Sequence, residues 1–405
     1  MHAELPTHRF YVIVLTFILL SVLGQISTSI YTPFFADLAD GFNTSLRIIE
    51  KSVATFLLAF SISQLLSGMG CDYLKKHTFL VVGLLVFIVG SLLAATAQTE
   101  SQFLLGRIVQ GLGGGVGVSV TRALSTQLFS EQQLTISLSL TNVAFGIAPA
   151  VSPVIGTVIG HYFGLSALFY FVALLAFLTL LLLIFSLFTV RQVAPTQQNV
   201  FGETLGLIRS VFNKILLVGV ASGLLYGIVF CFVTVAPAII LGQHQQSKTV
   251  FSVYSLLATA CFVAGSLVNI RLVASSVISK FSVSCLLIFM LSALQFITIG
   301  YFNVTTLPLL LCFSYVMFFV IGVAMPCSVS IMLGFSKTSA GFLAALVGFF
   351  HLTGASLGAY LVAEQTNDPT QSFALVTGLL GVGSLIASRL MGSKHEEQKT
   401  DNGGR

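Results

Sequence analysis

One arginine, one histidine and a few amides and hydroxyls carry the chemistry that this sequence places inside its apolar segments. Arg107 stands in Arg107-Ile-Val-Gln110-Gly111, with Gln110 one helical turn away on the same face. A guanidinium keeps its charge and presents a planar fork of donors, so a carboxylate or another anion is its natural ligand. The competing use is structural: the long stem can carry the charge out to the span boundary, about 8 Å along the helix. His351 lies mid-segment in Gly348-Phe-Phe-His351-Leu-Thr-Gly354-Ala355. Imidazole changes charge near neutral pH, so His351 is a candidate proton carrier, or else a neutral hydrogen-bonding group in a packing seam. Gln25, Ser29, Tyr31, Gln64 and Tyr226 are weaker members of the same candidate substrate and proton site, because uncharged polar groups commonly hold membrane helices together. No nucleophile–base set, metal-ligand cluster or phosphate-binding glycine loop is evident. Enzyme chemistry, ATP hydrolysis, cofactors and metals are therefore not expected.

The elements that position these residues follow from composition. Of 405 residues, 56% are hydrophobic and 8% are charged, and the mean hydropathy is +1.00. Soluble domains carry about 25% charged residues, so soluble enzymes, nucleic-acid binders and disordered chains are excluded. The apolar runs are long and unbroken, which reads as helices and not barrel strands. Twelve spans are predicted, over 10–33, 48–68, 78–97, 102–127, 134–158, 166–189, 213–238, 250–270, 279–300, 306–331, 340–363 and 371–391. The first reads as a span and not as a cleaved signal. The expected fold is an all-α polytopic membrane protein built as two six-helix bundles, 1–189 and 213–405, joined by the polar segment 190–212. The halves echo each other: Pro33 and Pro237 lie 204 apart, Gly68 and Gly265 lie 197 apart, and Gly146 and Gly348 lie 202 apart. A parallel duplication of this kind can rock one half against the other about a midplane site.

In the fifth span Asn142, Gly146, Pro149, Pro153, Gly156 and Gly160 fall on one helical stripe. The plain reading is a packing seam; the functional one is a seam that closes the two halves against proton leak. The six cysteines include no CxxC pair and read as packing residues. Tryptophan is absent, so Tyr and Phe must supply the interfacial belt.

Several of these segments resemble the major facilitator superfamily. Gly68-Met-Gly-Cys-Asp72-Tyr-Leu-Lys75-Lys76-His77 resembles its cytoplasmic loop signature, with Tyr73 in place of the usual Arg and Lys75 in place of a Gly. The resemblance implies a gating role for Gly68, Asp72, Lys75 and Lys76. Arg107-Ile-Val-Gln110-Gly111 is similar to a signature of the drug/proton antiporter branch, and Gly146-Ile-Ala-Pro149-Ala-Val-Ser152-Pro153-Val-Ile-Gly156 to its antiporter signature. The wording is nearest the bicyclomycin-resistance-type exporters. In relatives a carboxylate often precedes the proline of the first span by four residues; here Ser29 precedes Pro33, and the spans are read as holding no acid. The resemblance implies a secondary transporter that exports small molecules on the proton gradient, either lipophilic drugs or organic anions. Uptake or facilitated diffusion of an organic anion such as a carboxylate siderophore is the alternative, and a non-transporting membrane protein the remote one. The expected partners are a small-molecule substrate, protons and the bilayer, with no nucleic acid. The expected state is a monomer in a bacterial inner membrane.

Orientation follows from the basic residues. With both termini cytoplasmic, fourteen of the 18 Lys and Arg fall on the cytoplasmic side. Arg47, Lys51 and Lys248 fall outside, and Arg107 lies within a span. That is the asymmetry of the positive-inside rule. Reporter fusions after residues 40, 164 and 244 are expected to read outside, and fusions after 76, 200 and 336 inside; one reversal at an internal point breaks the twelve-span topology.

Overall fold

The computed structural model of the chain describes residues 6–70, 76–188, 200–271, 276–336, 340–365 and 368–402. These residues form helices and connecting turns, with no strand among them. Twelve helices are long and apolar enough to cross a membrane, one for each span expected from hydropathy. The chain is a multi-pass membrane protein. By packing, it divides into two units, Met1–Gln198 with Gln245–Thr259, and Asn199–His244 with Ala260–Arg405.

The first unit begins with α1 (Thr7–Ser29). The chain then makes a 3₁₀ turn over Thr32–Phe34 and re-enters α-helix in α2 (Phe35–Gly41). Pro33 therefore does not end the first span, which runs on to Gly41. A proline at the start of a new helical turn loses no intrahelical bond, since the N–H it lacks would be an orphan there. α3 (Leu46–Gly70), α4 (Lys76–Ala95), α5 (Glu100–Leu128), α6 (Glu131–Phe163) and α7 (Leu165–Phe188) follow. The Thr99 hydroxyl caps α5 by accepting from the Gln102 N–H at 3.3 Å. Gly164, at φ +84°, makes the tight corner between α6 and α7, a backbone region that L side chains avoid.

The second unit contains α8 (Val200–Pro237), the later part of α9 (Lys248–Arg271), α10 (Val277–Gln295), α11 (Leu307–Leu333), α12 (Ala340–Glu364) and α13 (Pro369–Asn402). α8 continues into a π-helical turn at Ala238–Gln243, and α10 into another at Phe296–Tyr301. Of the expected linker, 190–199 lies outside the described residues, while 200–212 is the first part of α8. Val200, Phe201, Leu205, Ile208, Val211 and Phe212 recur at helical spacing, so this stretch continues a helix although it is polar on average.

Lipid chains are as apolar as leucine, so helices inside a membrane associate through close packing and not by escaping water. In the first unit α5 is central, flanked by α3 and α4. A Cβ on Gly111 or Gly115 would overlap the α3 backbone at Phe56 or Phe60. In the second unit α8 and α12 meet backbone to backbone. Gly354 faces Gly223, and Gly358 faces Gly227. Aromatic pairs at helix ends supply the belt expected of a chain without tryptophan: Tyr162 and Phe163 are 74% and 76% exposed, and Tyr301 and Phe302 are 78% and 64% exposed.

Gly354→Val should force α12 away from α8, at a cost of about 1–3 kcal/mol for overpacking. Gly378→Ala, where a Cβ meets nothing, should stay within about 0.5 kcal/mol. Thermal unfolding of the two variants in detergent compares them directly.

Candidate functional site

Arg107 lies on α5 with its side chain fully buried, so it does not reach out to the span boundary. Its Nη1 donates to the Gln110 side-chain carbonyl. Its charge sits over two rings, Tyr31 at 4.7 Å and Phe56 at 4.3 Å from the ring centroids, with Phe169 further off at 5.9 Å. Each such contact with a desolvated cation is worth up to about 2 kcal/mol. Nε and Nη2 are buried with no hydrogen-bond partner among the described residues. Buried polar groups are rarely left without a hydrogen bond.

The surroundings fix this geometry. Gln110 Nε2 donates to Ser91 Oγ of α4 at 2.8 Å and reaches Ser27 Oγ of α1 at 3.4 Å. With its own amide committed to two helices, Gln110 turns its carbonyl toward Arg107. Tyr31 is held by Ser52 of α3, hydroxyl to hydroxyl at 2.7 Å. Its ring packs with Phe35, Phe103 and Phe169 at centroid distances of 5.1, 6.0 and 5.5 Å. The arrangement is a cation in an aromatic box, with one side-chain carbonyl as its hydrogen-bond acceptor.

Of the residues expected at the site, Arg107, Gln110 and Tyr31 come together here. Ser29 is buried at the end of α1, where its carbonyl accepts from Thr32 Oγ1 at 2.9 Å. Gln25 and Gln64 are buried, and the Oε1 of each lacks a partner among the described residues. His351 and Tyr226 belong to the second unit. There His351 Nε2 of α12 lies 3.2 Å from Ser328 Oγ of α11, and its ring lies 5.7 Å from that of Tyr226 on α8. Ser328 gives its one proton to the Met325 carbonyl at 2.8 Å, which leaves its oxygen as an acceptor.

In the loop signature, Gly68 lies in the last turn of α3 and Lys76 opens α4 as a buried side chain, while Asp72 and Lys75 lie outside the described residues. On the α6 stripe, Gly156 and Gly160 pack against Ile30 and Phe34, whereas a Cβ on Gly146 would meet open space. Pro149 and Pro153 are both inside the helix. Asn142 lies on α6, and its side chain is outside the described set.

One expectation is corrected. The spans are not free of acid: Glu50 lies in α3 and is only 8% exposed. Its signal was present in the sequence, inside the span drawn over 48–68, but hydropathy averaged over a window hides one acid near a span end. Ser27, Ser91, Ser52, Phe56 and Phe169 were missed as well. Serines and phenylalanines are ordinary in membrane helices, and no local spacing singles these out.

The family model of the Major Facilitator Superfamily matches residues 17–362. The chain belongs to the Major Facilitator Superfamily. Among curated relatives it is 28% identical over 163 residues to multidrug resistance protein D of Escherichia coli (strain K12), which covers 40% of this chain and 41% of that protein. It is 24% identical over 266 residues to a bicyclomycin resistance protein homolog of Haemophilus influenzae, covering 65% and 67%. It is 27% identical over 205 residues to multidrug resistance protein MdtL of E. coli O17:K52:H18, covering 50% and 52%. The matched stretch thus spans from two fifths to two thirds of these relatives' length. A crystal structure of a D-xylose-proton symporter shares the fold with a TM-score of 0.72 at 15% identity, covering 94% of this chain and 97% of that one.

Gln110→Ala should destabilise the first unit by about 1–3 kcal/mol, because it strips Arg107 Nη1 of its acceptor and leaves a buried charge-bearing donor unpaired. Ser27→Ala removes only the long 3.4 Å contact and should cost clearly less. A comparison of unfolding midpoints in detergent checks the order.

Proposed function

We propose that this superfamily member is a secondary exporter of small molecules, driven by the proton gradient across a bacterial inner membrane. It works as a monomer with both termini in the cytoplasm. The names of its relatives, for multidrug and bicyclomycin resistance, support the outward direction. The buried Arg107, with Nε and Nη2 unpartnered, supports the chemistry. An anionic group on the substrate would meet a planar fork of donors and can bind it in two-point fashion. His351, beside Ser328, is the proposed proton carrier of the second unit, since imidazole changes charge near neutral pH. Asp72, with Lys75 and Lys76, is the proposed cytoplasmic latch, and the α6 stripe from Gly146 to Gly156 the proposed seal against proton leak.

A second reading, uptake or facilitated diffusion of an organic anion such as a carboxylate siderophore, draws on the same arginine. Direction separates the two, and so does dependence on the pH gradient.

Everted membrane vesicles carrying the protein test the proposal with two probes, carboxyfluorescein as the organic anion and ethidium as the lipophilic cation. Accumulation driven by a pH gradient is expected, with the anion preferred. Arg107→Ala should abolish handling of carboxyfluorescein. Arg107→Lys should weaken it less without restoring it, since lysine keeps the charge and loses the fork. His351→Gln should leave probe binding nearly intact and reduce the gradient-driven part by the drive of the proton it carries. Full anion handling by Arg107→Ala returns the lead to the lipophilic-drug reading, and gradient-driven accumulation unchanged in His351→Gln moves the proton path elsewhere.

A further inference from the structure

We infer that Glu50 is a second proton-binding group of the transport cycle, located in the first unit. The inference rests on the proton-coupled reading above and adds a site to it.

Glu50 is the fifth residue of α3, about 6 Å along the helix from Leu46. That puts it beyond the first four residues, whose N–H groups lack intrahelical partners, so its carboxylate is not a helix cap. It does not face lipid. The exposed stripe of α3 is Leu58, Ile62 and Leu66, at 45%, 40% and 57%. Glu50 aligns by helical steps with Ala54, Leu57 and Ser61, which are 3%, 1% and 0% exposed. Among the described residues it is the one carboxylate that is buried.

The charged and titratable groups beside it on α3 and on the neighbouring parts of the elements packed against α3 are as follows. On its own helix Arg47 and Lys51 precede and follow it, and Arg47 acts on it electrostatically. From α2 come Asp37 and Asp40, from α5 Glu100 and Arg107, and Tyr31 stands between α1 and α2. Three of these are engaged elsewhere. Asp37 is paired with Lys248 at 2.7 Å, Glu100 accepts from the Thr44 hydroxyl, and Arg107 is held by Gln110 and the aromatic box.

An acid kept ionised inside a membrane span is expensive, and such residues mark proton relays and substrate paths. A carboxylate that takes up a proton escapes the cost in one state and bears it in the other. That is what a coupling group must do as its surroundings alternate. The step is a proton transfer and nothing else. A proton from the aqueous phase at the N-terminal end of α3 converts the carboxylate to a carboxylic acid. The proton leaves to the opposite side when the site opens there, and the carboxylate returns. Glu50 thereby supplies the first unit with the acid that Ser29 lacks.

Two measurements on the full chain test this. Infrared difference spectra of the purified protein across a pH titration should show the carbonyl band of a protonated carboxylic acid. That band should be missing in Glu50→Gln and should titrate at a shifted midpoint in Glu50→Asp. Everted vesicles with carboxyfluorescein should lose about tenfold in accumulation per pH unit of gradient in Glu50→Gln, the drive supplied by one coupled proton. Should the Gln variant fail to fold, the midpoint of the Asp variant decides. A band unchanged in Glu50→Gln, or an unshifted midpoint in Glu50→Asp, overturns the inference. A wild type that responds to the gradient, together with a Gln variant that responds equally, overturns the role of Glu50 alone. A wild type indifferent to the gradient overturns the coupled reading and this role with it.

Discussion

Charge inside a membrane must be answered by the protein, and the answer given to Arg107 organises the first unit. Placing an arginine within a span costs at least about 2.5 kcal/mol on insertion scales. No carboxylate is bonded to it among the described residues; its partners are Gln110 and the rings of Tyr31, Phe56 and Phe169. Five helices take part. α5 bears the charge, α3 brings Phe56 and α7 brings Phe169, while Ser91 of α4 and Ser27 of α1 orient Gln110. Any rearrangement of one helix changes the environment of the cation.

This answer is possible only because the helices approach closely. A Cβ at Gly90 of α4 would overlap the backbone of Gln110. With glycine there, α4 touches α5 at the turn that bears Gln110, and the next residue, Ser91, reaches its amide. The glycines of α5 do the same toward α3. Lipid offers no hydrophobic drive for these contacts, so shape and interhelical hydrogen bonds carry them. Packing and polar chemistry are therefore one requirement here: a larger residue at the contact would also break the network.

The same fold supports different chemistry elsewhere. The D-xylose-proton symporter has the architecture at 15% identity, and at that distance a fold says little about what is carried. Function resides in particular side chains, and the two units of this chain hold different polar groups. The first holds a fixed cation and the buried acid Glu50. The second holds His351, partly buried, with Ser328 and Tyr226 beside it.

The twelve helices were legible in the sequence because the length of an apolar run and its lack of charges are local properties that the bilayer thickness fixes. Arg107 and His351 were legible for the same reason: a polar residue stands out against an apolar run. Glu50 was equally visible as a letter inside the span drawn over 48–68, but averaging over apolar neighbours hid it, and only the structure showed its side chain to be buried in α3. The continuation of the first span past Pro33 turned on one backbone turn that hydropathy does not see. The aromatic box around Arg107 was not legible at all. Phe56, Phe169 and Tyr31 are far apart in sequence and ordinary in type. What makes them a site is their meeting over one guanidinium, and that is decided by how α3, α5 and α7 pack, which no local pattern encodes.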